Sequence, residues 1–424
     1  MAPGAATEER SMSYTAYQLQ NDLIAPWRMF AQAGAAFAQA MERGLADSGY
    51  EIEQPSALRR FGAACDVFTR MRLTHKRPPF GIAKVETPRG SFAVVEEVVT
   101  ETPFAKLVRF RKEGVKGEPR VLLSAPMSGH FATLLRETVR TMLTDHEVYI
   151  TDWSNGRDVP VLAGRFGFDE YVEHIMDFLR AMGEGSHLMS ICQPCPASLA
   201  AAAIMAEDDD PAQPLSLTLM AGPVDCRINP TKVNELATSK PIEWFETKLI
   251  STVPAPHKGF GRRVYPGFVQ LTAFMSMNLE RHMQSFKAMY DHMVAGDDAA
   301  AAQIADFYEE YLAVADLPAE FYLETVRNIF QEHLLPRGLL NWRDRRVNPA
   351  AIRRSALLTV EGERDDICSI GQTMAAQELC RSVRPYLRTH HIQTGVGHYG
   401  VFSGRKWTNG IYPIVRDSIH AANG

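Results

Sequence analysis

One short segment joins a reactive side chain to the backbone context that reactivity needs. In His187-Leu-Met-Ser-Ile-Cys192-Gln-Pro-Cys195-Pro-Ala-Ser-Leu-Ala-Ala-Ala-Ala, an apolar run ends at a cysteine and an Ala-rich run follows at once. A strand that turns sharply into a helix exposes the turn residue at the strand's end, the context of a nucleophile elbow. N–H groups at the helix start stabilise a thiolate and a developing oxyanion alike. Pro194 and Pro196 suit a first helical turn, where a missing N–H costs little. In place of Gly-x-Ser-x-Gly the segment reads Ser190-Ile-Cys192-Gln-Pro194, and no Gly-x-Ser-x-Gly occurs elsewhere. A buried structural cysteine at a strand end is the plain alternative. Cys192-Gln-Pro-Cys195 is also a C-x-x-C, which raises a thiol–disulfide site. No second Cys/His pair at ligand spacing completes a tetrahedral zinc set.

Partners for such a nucleophile lie downstream. The apolar run Ala356–Val360 leads into Glu-Gly362-Glu-Arg-Asp365-Asp366. Asp365 has the Gly-x-x-Asp spacing of an acid that orients a histidine; Asp366 is its rival, and a solvated acidic turn is the alternative for both. His398 stands in Gly395-Val-Gly397-His398-Tyr-Gly400, ahead of a C-terminal helical pattern. His390 and His391 fall inside a strand pattern, so at least one is expected in the core. The order nucleophile, acid, histidine is that of the α/β-hydrolases. In that arrangement His398 takes the Cys192 proton and the thiolate attacks an ester carbonyl. Asp365 holds the imidazole tautomer and stabilises the imidazolium. The Gln193 N–H is the expected first oxyanion donor. The turn Ala125-Pro-Met-Ser-Gly-His130 is expected to supply the second: Pro126 has no N–H, so Met127 is chosen, with Ser128 next.

These residues need elements to position them. Val94–Thr100 and Ala105–Arg111 alternate as an antiparallel pair, after a basic stretch from His75 to Phe80. Short apolar strands are then expected at Val121–Ala125, Val148–Asp152, Leu188–Cys192, Leu215–Ala221, Ala356–Val360 and Thr389–Gln393. Helices are expected between them at Phe131–Thr144, Asp169–Met182, Ala197–Ala206 and Ile370–Cys380, and after them at Ile411–Ala421. Strands alternating with helices imply crossovers and a mostly parallel sheet with helices on both faces. The long interval between Leu215 and Ala356 carries helical periodicity over Phe268–Val294, Ala300–Val314 and Pro318–His333. A break of that length is expected to be an inserted, mainly helical cap. At the other end, Leu19, Leu23, Trp27, Phe30, Ala33, Phe37 and Met41 recur at helical spacing. They suggest an amphipathic arm that packs on the main domain or docks to an apolar surface. The expected division is 1–90 a disordered leader of about a dozen residues with a helical arm, 91–227 the first part of the core, 228–350 the cap, and 351–424 the rest of the core.

Composition narrows the classes. The 424 residues carry a net charge of 45 − 50 = −5, so no overall basic field points to nucleic acid. Arg262–Arg263 and the group Arg343, Arg345 and Arg346 are expected as solvated loop charge. No stretch has the apolar length of a membrane span, and the first ten residues lack a signal-peptide layout. Six cysteines in a long chain fit a reduced, cytoplasmic setting. No organic cofactor motif is evident, since Gly259-Phe-Gly261 lacks the strand a dinucleotide loop requires. Metal is neither indicated nor needed.

Five stretches resemble the intracellular poly(3-hydroxybutyrate) depolymerases: Ala125-Pro-Met-Ser-Gly-His-Phe-Ala-Thr-Leu, Tyr149-Ile-Thr-Asp-Trp153, Cys192-Gln-Pro, Val360-Glu-Gly-Glu-Arg-Asp-Asp and Gly397-His-Tyr-Gly-Val-Phe-Ser-Gly-Arg-Lys-Trp407. The resemblance runs from about Tyr14 to Trp407. It implies a cysteine nucleophile at Cys192 with Asp365 and His398. It also implies hydrolysis of amorphous polyester to 3-hydroxybutyrate oligomers and monomer, and action at the surface of cytoplasmic granules. Met275, Met277, Met283, Met289 and Met293 could then give the cap an adaptable apolar face for the polymer, although ordinary packing within the cap is favoured. Cys195 is expected as a helix-packing thiol. Polyester synthases are the nearest rivals, but they keep glycine around the cysteine where Ser190 and Pro194 stand here. A general short-chain esterase and a granule-coating protein without catalysis are the others.

Overall fold

The computed structural model describes residues 3–49, 56–277 and 279–423. Its centre is a nine-stranded sheet: β1 (Lys84–Thr87), β2 (Gly90–Glu101), β3 (Ala105–Lys112), β4 (Arg120–Ser124), β5 (Glu147–Trp153), β6 (Ser186–Ile191), β7 (Ser216–Met220), β8 (Ala356–Gly362) and β9 (Arg388–Gln393). The spatial order is β1-β2-β3-β5-β4-β6-β7-β8-β9. Pairings from β1 to β5 along that order are antiparallel, and every later one is parallel. Every residue of β6, β7 and β8 is buried, as expected of apolar runs covered on both faces. Register aligns Ser124 with Ser190, Ile191 with Met220, and Met220 with Val360. The turns after β4, β6, β7 and β8 therefore leave the sheet along one edge.

Helices flank the sheet. α1 (Pro3–Asp47) packs on α2 (Ala57–Arg70), α3 (Arg136–Met142) follows β4, and α4 (Phe168–Met182) packs against α5 (Cys195–Glu207). The C-terminal helix Tyr412–Ala422 packs against α3, β7 and β8. α5 is buried all round from Cys195 to Met205, because four consecutive alanines let its neighbours approach from every side. The helix expected over Ile370–Cys380 contracts to Ala376–Leu379. The buried Glu361 carboxylate accepts the N–H groups of Gly371, Thr373 and Met374, which bends that stretch into turns instead.

The chain between β7 and β8 forms α6 (Lys232–Ser239), α7 (Ile242–Leu249), α8 (Gly267–Met277), α9 (Leu279–Ala295), α10 (Asp298–Tyr311) and α11 (Ala319–Thr325). A small sheet of Ser251–Thr252, Arg263–Tyr265 and Leu317–Pro318 ties them together. The described residues of the stretch expected as helical over 268–294 are helical, in α8 and α9. Met289 is fully buried, and Met275 and Met293 pack with Phe286 and Tyr308 in a cluster of their own. Met275, Met289 and Met293 are thus cap packing, whereas Met283 is exposed and the Met277 side chain lies outside the described residues.

Two further expectations are corrected. Arg262 is not solvated: it is buried over the Phe104 ring and donates to the carbonyls of Val159, Pro160 and Gly164. Arg345 forms ion pairs with Glu207 and Asp208 at the end of α5. The N-terminal arm carries the other surprise. α1 takes in, from Pro3 onward, the stretch expected as a disordered leader, whose Ala- and Glu-rich composition favours helix; residues 1–2 of it lie outside the described residues. Its apolar stripe faces outward: Leu19, Leu23, Trp27, Phe30, Phe37 and Met41 are 42 to 78% exposed. The opposite, small-residue side packs on α2, where a Cβ on Gly62 would stand 2.9 Å from that of Ala38. Small residues win the inner face because they allow the helices to approach closely. α1 is anchored through Tyr14, whose hydroxyl bonds to Asp316 and Arg157 within a buried Arg157–Asp316 ion pair.

Candidate active site

β6 ends at Ile191, and the chain turns into α5 through Cys192 at φ +65°. A non-glycine residue rarely adopts that left-handed conformation, which stores strain and persists only where its surroundings enforce it. Here the Cys192 N–H donates to Met220 O at 2.8 Å, and the Cys192 carbonyl accepts from Cys195 N at 3.1 Å. The turn after β7 passes so close that a Cβ on Gly222 would lie 2.2 Å from the Cys195 sulfur. Cys192 keeps partial exposure ahead of α5, whereas Cys195 is fully buried with its thiol directed to Ser190 O at 3.4 Å. Burial pushes the Cys195 thiol far up, which makes it a poor partner for redox exchange. All six cysteines are free.

The turns after β8 and β9 bring the expected partners together. His398 Nδ1 lies 2.8 Å from Asp365 Oδ2, and both side chains are buried. The second carboxylate oxygen of Asp365 accepts the N–H groups of Ile367 (2.9 Å) and Cys368 (2.8 Å), which fixes the acid's orientation. Asp366, the rival, is exposed. Burial alone lowers the His398 pKa. The Asp365 charge and, after it, the influence of Cys192 outweigh burial and hold it well above the ordinary histidine value. His390 instead pairs with Thr359 at 2.9 Å within the sheet.

The loop after β4 faces the elbow. Its start is pinned by Trp153 Nε1 and the Tyr171 hydroxyl, both donating to Ala125 O. Gly129, at φ +90°, then lets its carbonyl accept from Ala315 N in the cap at 2.9 Å. Met127 N–H is already engaged: it donates to Gln193 Oε1 at 3.2 Å. Gln270 of α8 donates its amide to Ser128 O, so the cap braces the same loop. Neither glutamine side-chain contact was foreseen. Gln193 lies inside the Cys-Gln-Pro stretch that drew attention for its backbone, and nothing around Gln270 in sequence marks it. A cavity of about 210 Å³ opens at Cys192 beneath the cap, walled largely by apolar side chains such as Phe245, Phe274, Tyr322 and Phe330. Among the described residues no group of three or more His, Cys, Asp or Glu side chains is placed to hold a metal ion.

A mostly parallel sheet entered by antiparallel strands, an elbow after β6, an acid after β8 and a histidine after β9 define an α/β hydrolase. Residues 221–423 match the family model described as the C-terminus of PHB de-polymerase. No curated protein matches the sequence. Solved structures with related folds include a Bacillus megaterium epoxide hydrolase (13% identity, TM-score 0.45, covering 76% of this chain and 99% of that one). A 2-hydroxy-6-oxo-6-phenylhexa-2,4-dienoate hydrolase from a Rhodococcus species is 9% identical, with TM-score 0.42 and coverage of 78% and 99%. A thermophilic esterase from Thermogutta terrifontis is 14% identical, with TM-score 0.39 and coverage of 80% and 98%. Among the described residues no helix is long and apolar enough to cross a membrane.

Proposed function

We propose that this hydrolase cleaves the ester bonds of stored poly(3-hydroxybutyrate) through a Cys192–His398–Asp365 triad, at the surface of polyester granules in the cytoplasm. The observation that carries the reading is the buried Asp365–His398 pair together with the strained Cys192 elbow, which lines an apolar cavity. His398 takes the Cys192 proton, and the thiolate adds to an ester carbonyl carbon. The tetrahedral oxyanion collapses, and the departing alkoxide takes the proton from His398. That leaves an acyl thioester on Cys192 and a chain ending in a hydroxyl. A water then gives its proton to His398 and attacks the thioester. The thiolate leaves, is reprotonated, and an acid is released. Asp365 keeps Nδ1 protonated, so that Nε2 is the atom that moves protons.

The outward stripe of α1 supports contact with the granule. From residue 11 to residue 41 the helix carries only Asp22 and Arg28 as charges, which suits a neutral polymer better than an anionic membrane.

Mass spectrometry tests the mechanism: an activated 3-hydroxybutyryl ester should leave one 3-hydroxybutyryl group on the peptide containing Cys192. Recovery of the adduct on another residue, or on none during turnover, overturns the triad. Release of coenzyme A from 3-hydroxybutyryl-coenzyme A with growth of polymer would favour the synthase reading instead.

A further inference from the structure

The nucleophile's neighbour holds a buried donor with nothing to donate to. Gln193 Oε1 accepts from Met127 N–H at 3.2 Å, which also decides which end of the carboxamide is nitrogen. The Nε2 end is buried and makes no hydrogen bond among the described residues. Gln193 lines the same cavity as Cys192. Oxygen and nitrogen share one planar group, so anchoring Oε1 on the loop also fixes where the NH2 points.

A buried amide donor left unmet is costly, and such groups are rare unless a ligand or water completes them. Met127 N–H, by contrast, is spent. It could meet a substrate oxygen only by breaking its bond to Gln193, leaving a second buried group unpaired. Keeping the bond satisfies both residues and leaves Nε2 as the available donor.

We propose that the Gln193 carboxamide is the second oxyanion donor: its Nε2 and its own backbone N–H hold the negative oxygen that develops when Cys192 attacks. Met127 is then a positioning residue, its N–H orienting the carboxamide. Gln270, donating to Ser128 O from the cap, holds the loop that carries Met127. The proposal rests on the ester-hydrolase reading of Cys192.

The test uses the full chain and compares the wild type with Gln193→Ala and Gln193→Met, both of which keep the backbone donor. The substrate is the p-nitrophenyl ester of 3-hydroxybutyrate. Loss of the side-chain donor should lower kcat by about 10²–10³-fold with little change in KM. Affinity for a trifluoromethyl ketone that adds to Cys192 should fall by a similar factor. Alkylation of Cys192 by iodoacetamide forms no oxyanion and should proceed at the wild-type rate, showing that the elbow is intact; the methionine variant keeps side-chain volume should alanine disturb the fold. Gln193→Glu should be slower still at neutral pH and recover part of its rate as the carboxylate is protonated. Wild-type or faster turnover in Gln193→Ala and Gln193→Met overturns the assignment and makes Met127 N–H the donor that Gln193 obstructs. A wild type whose ester cleavage does not need Cys192 overturns the hydrolase reading beneath it, a distinguishable result.

Discussion

At the scale of single residues, chemistry depends on two environments that differ within three positions. Cys192 is strained and reachable; Cys195 is buried with its thiol turned to Ser190 O. The strand-to-helix context marked Cys192 in the sequence because an apolar run ending in a reactive residue before an Ala-rich helix leaves few other geometries. The Gly-x-x-Asp spacing favoured Asp365, and the structure gives it the hydrogen bond to His398 while Asp366 is exposed. What local pattern could not reveal is the use of a side chain across 66 residues, as between Gln193 and Met127. The raised His398 pKa has a consequence of definite sign. Burial works against protonation and Asp365 works for it, so imidazolium persists above the ordinary histidine range. If thiolate and imidazolium are the active pair, the basic limb of the kcat/KM profile lies well above 6.5 in the wild type. Asp365→Asn should move that limb to lower pH and reduce kcat by about 10⁴-fold. An unmoved basic limb in Asp365→Asn would assign it to another group. The pair's contribution to stability has the same sense: it is complete below the unfolded histidine value and lost as pH rises through the folded one.

At the scale of elements, the site is made by turns that leave one edge of the sheet and by a cap that grips one of them. Strand positions were legible because inner strands are continuous apolar runs, and those runs survive in β4 to β8 with boundaries within about two residues, while β9 is a polar, partly exposed edge strand. The helix at 370–380 misled because a buried carboxylate one strand away competes for its N–H groups, which no periodicity reports. Gly129 is where the cap and the loop after β4 meet. It has φ +90°, and a Cβ there would lie 2.9 Å from Gln270 Oε1. Gly129→Ala should therefore cost about 1–3 kcal/mol in urea unfolding, and it should lower kcat more than Gln270→Ala does. An alanine variant of unchanged stability and rate would show that the loop is free of the cap.

For the whole molecule, the arm, core and cap meet at Tyr14, Arg157 and Asp316, all buried. Tyr14→Phe removes a hydroxyl that serves both charges and should cost about 1–3 kcal/mol of stability, measured by thermal or denaturant unfolding. The arm's helical period was plain in the sequence, but its direction was not, because periodicity identifies an apolar stripe without saying whether protein or something else covers it. If the stripe meets polyester, Trp27→Ser with Phe30→Ser and Phe37→Ser should reduce co-sedimentation with amorphous polymer while leaving cleavage of a soluble ester unchanged. Equal co-sedimentation would assign granule contact to another surface. The central claim is that this α/β hydrolase turns over the polymer itself through Cys192. It is tested most directly by 3-hydroxybutyrate release from amorphous poly(3-hydroxybutyrate) granules with the wild type, Cys192→Ala and Cys195→Ala. Release by the wild type and by Cys195→Ala, with none from Cys192→Ala, is the expected result; release that persists in Cys192→Ala would contradict it.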